Sequence, residues 1–503
     1  MNANLFLKGW SLPLAASVVL SAASSAACTG FYVGRKVSAD GTTLLARTVD
    51  AVSPSSCKAL EVFPRIENRP GRYYLASDSG AQWPLPVTTW HAVTVPAASW
   101  MDGHGRYEGA CANEKGVMLT GTVTAYANEA ARKADPYVKE GFSEASLPGL
   151  LIVSASTARE AVELLGRVVA ERGHNGSEIY MVADAAEAWY VEVYTGHQWA
   201  AVRLPEDRML AIGNQFLLRE FDPSAPGSLS SEGLVATAEK GGFLKRGRGG
   251  LIDLAATYSP APAESGSRRT WALRRRFAPS EAGDYTQPRL LPLLFAPERR
   301  VSVRDLQEAT RWRYEGIGLC PEETGDQSIR VVGVGRQNSC HVLSLDASLP
   351  PERRCTMWVT LANAEHAPYL PLNAVVTSVP ADFSMFAPGS SKTFNPALPA
   401  AHFRRLAALA EVDRRKYGDG VRAYWRKLED RWIEEFAKVV RDGDATAVTA
   451  WCAAAHRTAL ADAKRIFDEL TWYICQQNFT DGDYVDPGMR PVRRAFVPGC
   501  ASH

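Results

Sequence analysis

Cys28 stands between a segment with the composition of a removable secretion signal and two strand-like segments joined by a short turn. A single lysine precedes a mostly apolar run over residues 12–20, and small residues follow it. Ser25 and Ala27 fit the small-x-small pattern of a signal-peptide cleavage site. Residues 1–27 are therefore predicted to be a signal peptide, whose removal would make Cys28 the first residue of the mature chain, at the start of a strand.

The leader leaves a second possibility open, a lipoprotein signal that would acylate Cys28 and hold it at a membrane. Such a signal normally has a Leu-like residue three places before the cysteine, where this chain has Ser25. The apolar run is shorter than the about 20 residues that span a bilayer, and no later segment approaches that length without charges. We expect an exported protein, periplasmic or secreted, without a stable membrane span and with a lipid anchor as the less favoured alternative.

An N-terminal cysteine carries a nucleophile and a general base on one residue. Its thiol can attack a carbonyl carbon, and its α-amino group, with an ordinary pKa of about 7.7–8.0, can accept the thiol proton near neutral pH. A mature chain that begins at Cys28 is therefore predicted to be an amidohydrolase.

The net charge and the cysteine content indicate which partners, cross-links and metals to expect. The 503 residues have a net charge of +1, which favours neither a nucleic acid nor an anionic membrane as partner. The nine cysteines leave an even number beside Cys28, as expected for disulfides in an oxidising compartment, with buried free thiols as the alternative. No C-x-x-C pair or Cys/His ligand spacing is present, so zinc is not expected.

Local patterns predict an α+β chain. Strands are expected over residues 29–37 and 42–50, around the hairpin dipeptide Asp40-Gly41. Thr157 and Glu160 have the spacing of a helix N-terminus, and apolar residues follow at helical intervals. Further strands are predicted over residues 116–124, 178–183, 188–194, 198–204 and 208–216. Strands on both sides of a helix indicate a layered α+β domain.

The second half of the chain changes character. Residues 220–300 are richer in Gly, Pro, Ser and Arg, and their basic segment Lys245–Gly250 favours a solvated loop. From Ala400 onward the chain is predicted to be mostly helical. One apolar stripe steps by three or four residues and indicates core packing: Val421, Trp425, Leu428, Trp432 and Phe436. We expect a domain over residues 28–399, with a helical region over residues 400–503 packed on it.

Arg47 and Asp50 lie three residues apart on the second strand of the predicted hairpin, and Cys28 begins the first strand. An arginine near the sulfur would lower the thiol pKa, and an aspartate near the amine would orient it. Because residues three apart on a regular strand need not share a face, a bend at the strand end would be needed to aim both at Cys28. Taken alone, this Arg-x-x-Asp spacing is more typical of a surface ion pair.

Long segments of the chain resemble one family. The predicted mature start, CTGFYVGRKVSADGTTLLARTVD, is similar to that of the C69 dipeptidases, which belong with the bile salt hydrolases and penicillin V acylases among the N-terminal-nucleophile hydrolases. The similarity continues through ANEKGV (112–117), LPGLLIVSASTAREAVELL (147–165), IYMVADAAEAWYVEV (179–193), MLAIGNQF (209–216), SRRTWALRRRFAPS (267–280), WRYEG (312–316), SCHVLSLDASLPPE (339–352), MWVTLANAEHAPYLPL (357–372) and SMFAP (384–388). The resemblance therefore covers nearly the whole predicted mature chain.

The resemblance implies a four-layer αββα N-terminal-nucleophile hydrolase fold, in which Cys28 is both nucleophile and base. By position, Arg47 and Asp50 match the family's Arg-x-x-Asp pair, of which the arginine tunes the thiolate and the aspartate binds the amine. Asn214 matches an asparagine whose side-chain amide stabilises the tetrahedral oxyanion. Arg269 matches a further active-site arginine.

The same resemblance implies a structural role for Asn113 and a second oxyanion donor, a backbone amide near Thr122–Thr124. The resulting cycle needs neither a metal nor an organic cofactor.

Three functions remain compatible with these observations. The first is an exported cysteine dipeptidase that hydrolyses short peptides through a thioester on Cys28. The second is an acylase of N-acyl amides, such as penicillin V or conjugated bile salts; these enzymes are shorter, so the long match favours the dipeptidase. The third is a lipid-anchored binding protein without activity, because an acylated amine cannot act as a base. The sequence leaves the oligomeric state open, and a homo-oligomer is compatible with it.

Overall fold

The segments on either side of Asp40-Gly41 form the predicted antiparallel hairpin. The computed structural model describes residues 28–50, 57–98, 105–121, 123–384, 386, 394–480 and 495–499. The predicted signal peptide, Thr122 and Cys500 lie outside them. The two strands of the hairpin pair with Thr29 opposite Thr48. Gly41 has a φ of 78°, a left-handed conformation that glycine adopts without a steric penalty.

Short strands dominate the first 375 or so residues, as their alternating and apolar patterns predict. The strands are β1 (Thr29–Val33), β2 (Thr43–Asp50), β3 (Glu61–Phe63), β4 (Ile66–Glu67), β5 (Tyr73–Leu75), β6 (Gln82–Pro84), β7 (Thr88–Thr89), β8 (Ala92–Thr94), β9 (Ala110–Asn113), β10 (Met118–Gly121), β11 (Glu178–Ala183), β12 (Ala188–Val193), β13 (Trp199–Leu204), β14 (Met209–Ile212), β15 (Ser228–Ser230), β16 (Gln337–Leu345), β17 (Cys355–Val359) and β18 (Leu370–Asn373).

Helices separate the strands and make up most of the C-terminal part that the structure describes. They are α1 (Glu129–Ala134), α2 (Leu147–Ser154), α3 (Ala158–Arg172), α4 (Leu234–Lys240), α5 (Leu254–Tyr258), α6 (Glu264–Phe277), α7 (Pro279–Ala282), α8 (Val303–Arg311), α9 (Pro321–Thr324), α10 (Pro399–Val412), α11 (Asp419–Asp442) and α12 (Ala445–Thr480). The predicted start of α3 is confirmed, because the Thr157 hydroxyl accepts a hydrogen bond from the Glu160 N–H at 3.1 Å.

Two larger antiparallel sheets organise the chain. Sheet 1 has the order β14-β1-β2-β16-β17-β18, so both strands of the hairpin are interior strands. Sheet 2 has the order β15-β13-β12-β11-β10-β9-β8-β3. The pairs β4–β7 and β5–β6 form small separate ribbons. Antiparallel sheets with intervening helices confirm the predicted α+β class.

Buried residues show how these elements pack. One apolar cluster lies beneath α2 and α3 on one face of sheet 2. The other combines residues of both sheets with those of α6, α8 and α10–α12. Between the sheets, the His341 side chain on β16 contacts the Thr120 hydroxyl on β10 at 2.6 Å. Close approach also explains Gly30 on β1, where a Cβ would lie 2.9 Å from Val123 Cγ2.

The predicted stripe on α11 is confirmed as a buried face: Val421, Trp425, Leu428, Trp432 and Phe436 all lie in the core. A 3.6-residue period places such residues on one side of a helix, where burial of their apolar area stabilises it. None of the helices in the described ranges has the length and apolar character needed to cross a bilayer.

Disulfides were predicted, but seven cysteines of the described residues have free thiols: Cys28, Cys111, Cys320, Cys340, Cys355, Cys452 and Cys475. Cys111 lies in the cluster under α2 and α3, whereas Cys340 and Cys452 belong to the other cluster. An even cysteine count cannot distinguish bridged pairs from thiols that pack as small apolar side chains. Of these seven thiols, all but the partly buried Cys475 are buried, as in the alternative.

Candidate functional site

Cys28 directly precedes β1, an interior strand of sheet 1. The Thr29 N–H donates to the Thr48 hydroxyl at 3.0 Å, which fixes the first strand residue against β2. Because Thr29 pairs with Thr48, the antiparallel register continues with Cys28 beside Val49. The cysteine therefore lies between the positions of Arg47 and Asp50 along the neighbouring strand, and it is fully buried.

Arg47 contacts the thiol directly. Its Nη2 lies 3.2 Å from Cys28 Sγ and 2.6 Å from the Tyr107 hydroxyl, and its Nη1 donates to the Gly121 carbonyl at the end of β10. Burial would lower the pKa of Arg47, but the neighbouring Cys28 and Tyr107 outweigh it and raise that pKa above its ordinary value. The guanidinium thus stays charged, with its positive charge next to the Cys28 sulfur.

Asp50 is buried at the end of β2, where the sheet is irregular. The pairing of β2 with β16 shifts register between Gln337 and Ser339, opposite Asp50 and Val49. The shift is a β-bulge in β16, and it lies next to the end of β2, where a bend was expected to be needed to aim Arg47 and Asp50 at Cys28. Asp50 Oδ2 forms an ion pair with Arg330, whereas its buried Oδ1 has no hydrogen-bond partner among the described residues.

Arg269 joins the first strand to Asn214. From α6, its Nη1 donates to the Cys28 carbonyl and, at 2.9 Å, to the Thr29 hydroxyl. Its Nη2 donates to Asn214 Oδ1, which fixes the orientation of that amide. Burial and the nearby Arg330 lower the pKa of Arg269 to about 10, so the group remains a cation at neutral pH.

Asn214 follows β14, the strand that borders β1. Its Nδ2 donates to the Thr124 carbonyl at 2.6 Å, and this nitrogen carries two hydrogens, so a second donor position remains. A narrow cleft opens next to Asn214, between the segment after β14 and residues 259–263, and Tyr126 also lines it. The predicted oxyanion donor therefore borders a small cleft, with a volume of about 40 Å³.

The structure brings four of the five predicted residues into one chain of contacts: Arg47 to Cys28, Cys28 to Arg269, and Arg269 to Asn214. Asp50 forms an ion pair with Arg330 instead, and no hydrogen bond joins it to Cys28 in the described part of the chain. Of the predicted second donor, Thr122 lies outside the described residues and Thr124 supplies its carbonyl to Asn214.

The side chain of Asn113 forms its hydrogen bonds with backbone groups. Nδ2 donates to the carbonyls of Ile152 and Ala155, and Oδ1 accepts from the N–H groups of Lys115 and Val117. These bonds tie the end of β9 to α2, as expected of a structural residue.

Three residues of the site were not predicted. Arg330 pairs with Asp50, Tyr107 contacts Arg47, and Lys58 donates to the Tyr107 carbonyl at 2.7 Å. They are distant from Cys28 in sequence and belong to no short motif. Their positions follow from contacts between distant segments, which no sequence pattern or composition reveals.

One group with metal-ligand geometry occurs among the described residues: Glu365, His366 and Glu411. Arg414 forms ion pairs with both of these carboxylates, so their negative charge is partly offset. The group belongs to α10 and to the segment between β17 and β18, which carry none of the predicted catalytic residues.

Comparison with known proteins identifies the family. The sequence model of peptidase family C69 matches residues 27–427. The chain belongs to peptidase family C69. The matched range begins next to Cys28 and includes every residue of the site described above, so the C69 match and the contact geometry concern the same part of the molecule.

Curated relatives of this C69 peptidase carry related names. "Probable dipeptidase B" of Streptococcus pyogenes serotype M1 is 29% identical over 366 residues, which are 69% of this chain and 72% of that protein. "Probable dipeptidase" of Salmonella dublin is 30% identical over 353 residues, 69% of this chain and 80% of the relative. "Probable dipeptidase" of Latilactobacillus sakei is 27% identical over 352 residues, 69% and 73% respectively. Family and relatives together make the protein a peptidase.

Proposed function

We propose that the protein is an exported dipeptidase whose nucleophile is the thiol of Cys28, freed at the N-terminus by removal of residues 1–27. The observation that carries the proposal is the contact of Arg47 Nη2 with Cys28 Sγ at 3.2 Å, in a buried site. A fixed cation at this distance stabilises a thiolate, which is the reactive form of cysteine. The names of the relatives favour dipeptides as substrates.

The proposed cycle uses one residue for two tasks. The α-amino group of Cys28 accepts the thiol proton, and the sulfur attacks the carbonyl carbon of the peptide bond. The amide of Asn214 donates to the oxyanion that forms. The protonated amine then gives its proton to the leaving amine as the C–N bond breaks. Water attacks the resulting thioester, and the acid product leaves as the thiol is restored.

Asp50 has a defined place in this scheme. Its buried Oδ1 has no hydrogen-bond partner in the described chain, and a buried carboxylate oxygen is costly without one. The strand register places the Cys28 position next to the end of β2, where Asp50 lies. The α-amino group of processed Cys28 would supply the missing donor. Asp50 would thereby hold the amine in the orientation needed for proton transfer.

The same proposal extends to the fold. Helices α2 and α3 pack on sheet 2, sheet 2 contacts sheet 1, and α8 and α12 pack on sheet 1. We interpret these contacts as the four layers of an αββα N-terminal-nucleophile hydrolase. Residues 28–399 would form this domain, and the helices after residue 399 would pack on it.

Two alternatives use the same chain differently. An N-acyl amide acylase would use the same residues on penicillin V or conjugated bile salts, but the names of the relatives favour peptides. A lipid-anchored binding protein would carry an acyl group on Cys28 and would be inactive.

The test begins with the protein exported by its native host. Intact mass and N-terminal sequencing report whether the chain begins at Cys28 with a free amine. The mature protein is then assayed with a dipeptide panel, penicillin V and glycine-conjugated bile salts, beside Cys28→Ala as control. Preferential dipeptide hydrolysis that Cys28→Ala abolishes supports the proposal. A lipidated Cys28, retained leader residues, or activity in Cys28→Ala contradicts it.

A further inference from the structure

Tyr107 lies shortly before β9 and contacts Arg47. Its hydroxyl oxygen is 2.6 Å from Arg47 Nη2, the same nitrogen that contacts Cys28 Sγ. Burial raises the pKa of Tyr107 well above its ordinary value, so the phenol is neutral and accepts the hydrogen bond. One guanidinium nitrogen therefore connects the phenol to the nucleophile.

The remaining support of the Arg47 guanidinium is limited. Nη1 donates to the Gly121 carbonyl, and the buried Nε has no hydrogen-bond partner among the described residues. The Tyr107 hydroxyl and the Gly121 carbonyl are thus the two acceptors, besides the sulfur, that define the plane of the guanidinium. If the Tyr107 hydroxyl were removed, the Gly121 carbonyl would be the one oxygen acceptor left among the described residues, and the guanidinium could rotate more freely about the last bonds of the Arg47 side chain.

Tyr107 is itself held in an unusual conformation. Its φ of 49° lies in the left-handed region, which is uncommon for residues other than glycine and occurs often at functional sites. Its N–H donates to the Ala145 carbonyl at 2.9 Å. Lys58 donates to its carbonyl at 2.7 Å and places Nζ 4.1 Å from the ring centre. The contacts on backbone and ring fix the direction of the phenol.

We infer that Tyr107 is a positioning residue of the nucleophile: it holds the Arg47 guanidinium against Cys28 Sγ, and Lys58 holds Tyr107. The inference rests on the proposed role of Cys28. If Tyr107 had a purely structural role, it would stabilise the fold, and any effect of its removal on the thiol would not depend on Arg47. The dependence on Arg47 is therefore the property to measure.

The experiment uses the mature protein and four variants: Tyr107→Phe, Arg47→Met, the double variant and Tyr32→Phe. Tyr32 is the matched control, because it is a buried tyrosine whose hydroxyl makes one hydrogen bond, to the Pro205 carbonyl at 3.0 Å. The rate of alkylation by iodoacetamide is followed against pH by mass spectrometry of the N-terminal peptide. Dipeptide kcat/KM and thermal unfolding are measured in parallel.

We expect Tyr107→Phe to move the pH profile of Cys28 alkylation upward by about one unit and to lower kcat/KM about tenfold, the size expected when one charge-assisted hydrogen bond is lost. The same change in the Arg47→Met background should have no further effect on the profile, because effects through a shared partner are not additive. Tyr32→Phe should leave the profile and kcat/KM unchanged.

Lys58→Met provides a second variant should Tyr107→Phe unfold. This variant removes the hydrogen bond to the Tyr107 carbonyl. The pH profile of Cys28 alkylation should shift to higher pH when Arg47 is present, and should shift less in the Arg47→Met background. An unchanged profile in Tyr107→Phe, or equal shifts with and without Arg47, overturns the inference. Failure of the proposed function would be recognised separately, since alkylation of wild-type Cys28 would then leave hydrolysis intact.

Discussion

Arg330 donates to one oxygen of Asp50, and the other oxygen of that carboxylate is buried without a hydrogen-bond partner in the described chain. Arg330 reaches Asp50 from the segment before β16, and its side chain is 14% exposed while that of Asp50 is 0% exposed. The pair leaves one acceptor free at the end of β2, next to the start of β1. The structure thus leaves one carboxylate oxygen without a hydrogen bond beside the proposed nucleophile.

Removal of Arg330 should affect folding and activity together. Arg330→Met leaves Asp50 as a buried charge without its cation, which costs about 3 kcal/mol of unfolding free energy. We also expect kcat/KM to fall at least about tenfold, because Asp50 loses the group that fixes it. Urea unfolding and dipeptide hydrolysis measure both effects. Arg246→Met, which breaks the exposed pair with Glu239, should cost under about 1 kcal/mol and leave activity unchanged. Equal effects of the two variants would contradict this account.

Local patterns predicted the hairpin and the α11 stripe. The Asp40-Gly41 turn lies between the two strands, and the α11 residues repeat with the helical period, so neighbours in sequence carry the information. The start of α3 at Thr157 was found for the same reason.

The rest of the site depends on contacts between distant segments. Arg269 lies on α6, in a region for which no helix was predicted, and it reaches Cys28 across 241 positions of sequence. Tyr107 and Arg330 belong to no motif. Their roles follow from their contacts in the folded chain, Tyr107 with Arg47 and Arg330 with Asp50. Family resemblance identified Arg269 where physical patterns did not.

Two asparagines provide a contrast between catalysis and structure. Asn214→Ala removes the proposed oxyanion donor, so we expect kcat to fall about 10²–10³-fold. It also removes the hydrogen bonds with Arg269 and Thr124, so the unfolding free energy should fall by about 1–3 kcal/mol. Asn113→Ala removes four hydrogen bonds to buried backbone groups and should lower the unfolding free energy by about 2 kcal/mol or more, with nearly normal kcat per folded molecule. Active-site titration and urea unfolding separate the two effects. Large loss of kcat in both variants, or in neither, would contradict the assignment.

Glu192 should make stability depend on pH. Burial raises its pKa from 4.5 to about 7, although it accepts hydrogen bonds from Tyr190, Tyr194 and two backbone N–H groups. The folded state therefore binds this proton more tightly than the unfolded state. Its contribution is fully present below about pH 4.5 and is lost as pH rises through about 7, a change of about 3 kcal/mol. Urea unfolding near about pH 5 and about pH 8 should show a smaller pH difference in Glu192→Gln than in wild type. An identical pH difference in both would refute this prediction.

Glu429 should hold the C-terminal helices to sheet 1. Its fully buried carboxylate on α11 forms ion pairs with Arg311 and Arg304 of α8 and accepts the Tyr369 N–H at 2.9 Å. Glu429→Gln leaves the nearly buried Arg311 without its main anion, so we expect a loss of about 3–5 kcal/mol in unfolding free energy. Asp430→Asn is the matched control: Asp430 also pairs with Arg304 but is 63% exposed, and its loss should cost under about 1 kcal/mol. Hydrogen exchange should show α11 opening more often in Glu429→Gln alone. Similar stability of the two variants would mean that apolar contacts such as that of Trp358 with Phe436 hold α11 without help from the buried charges.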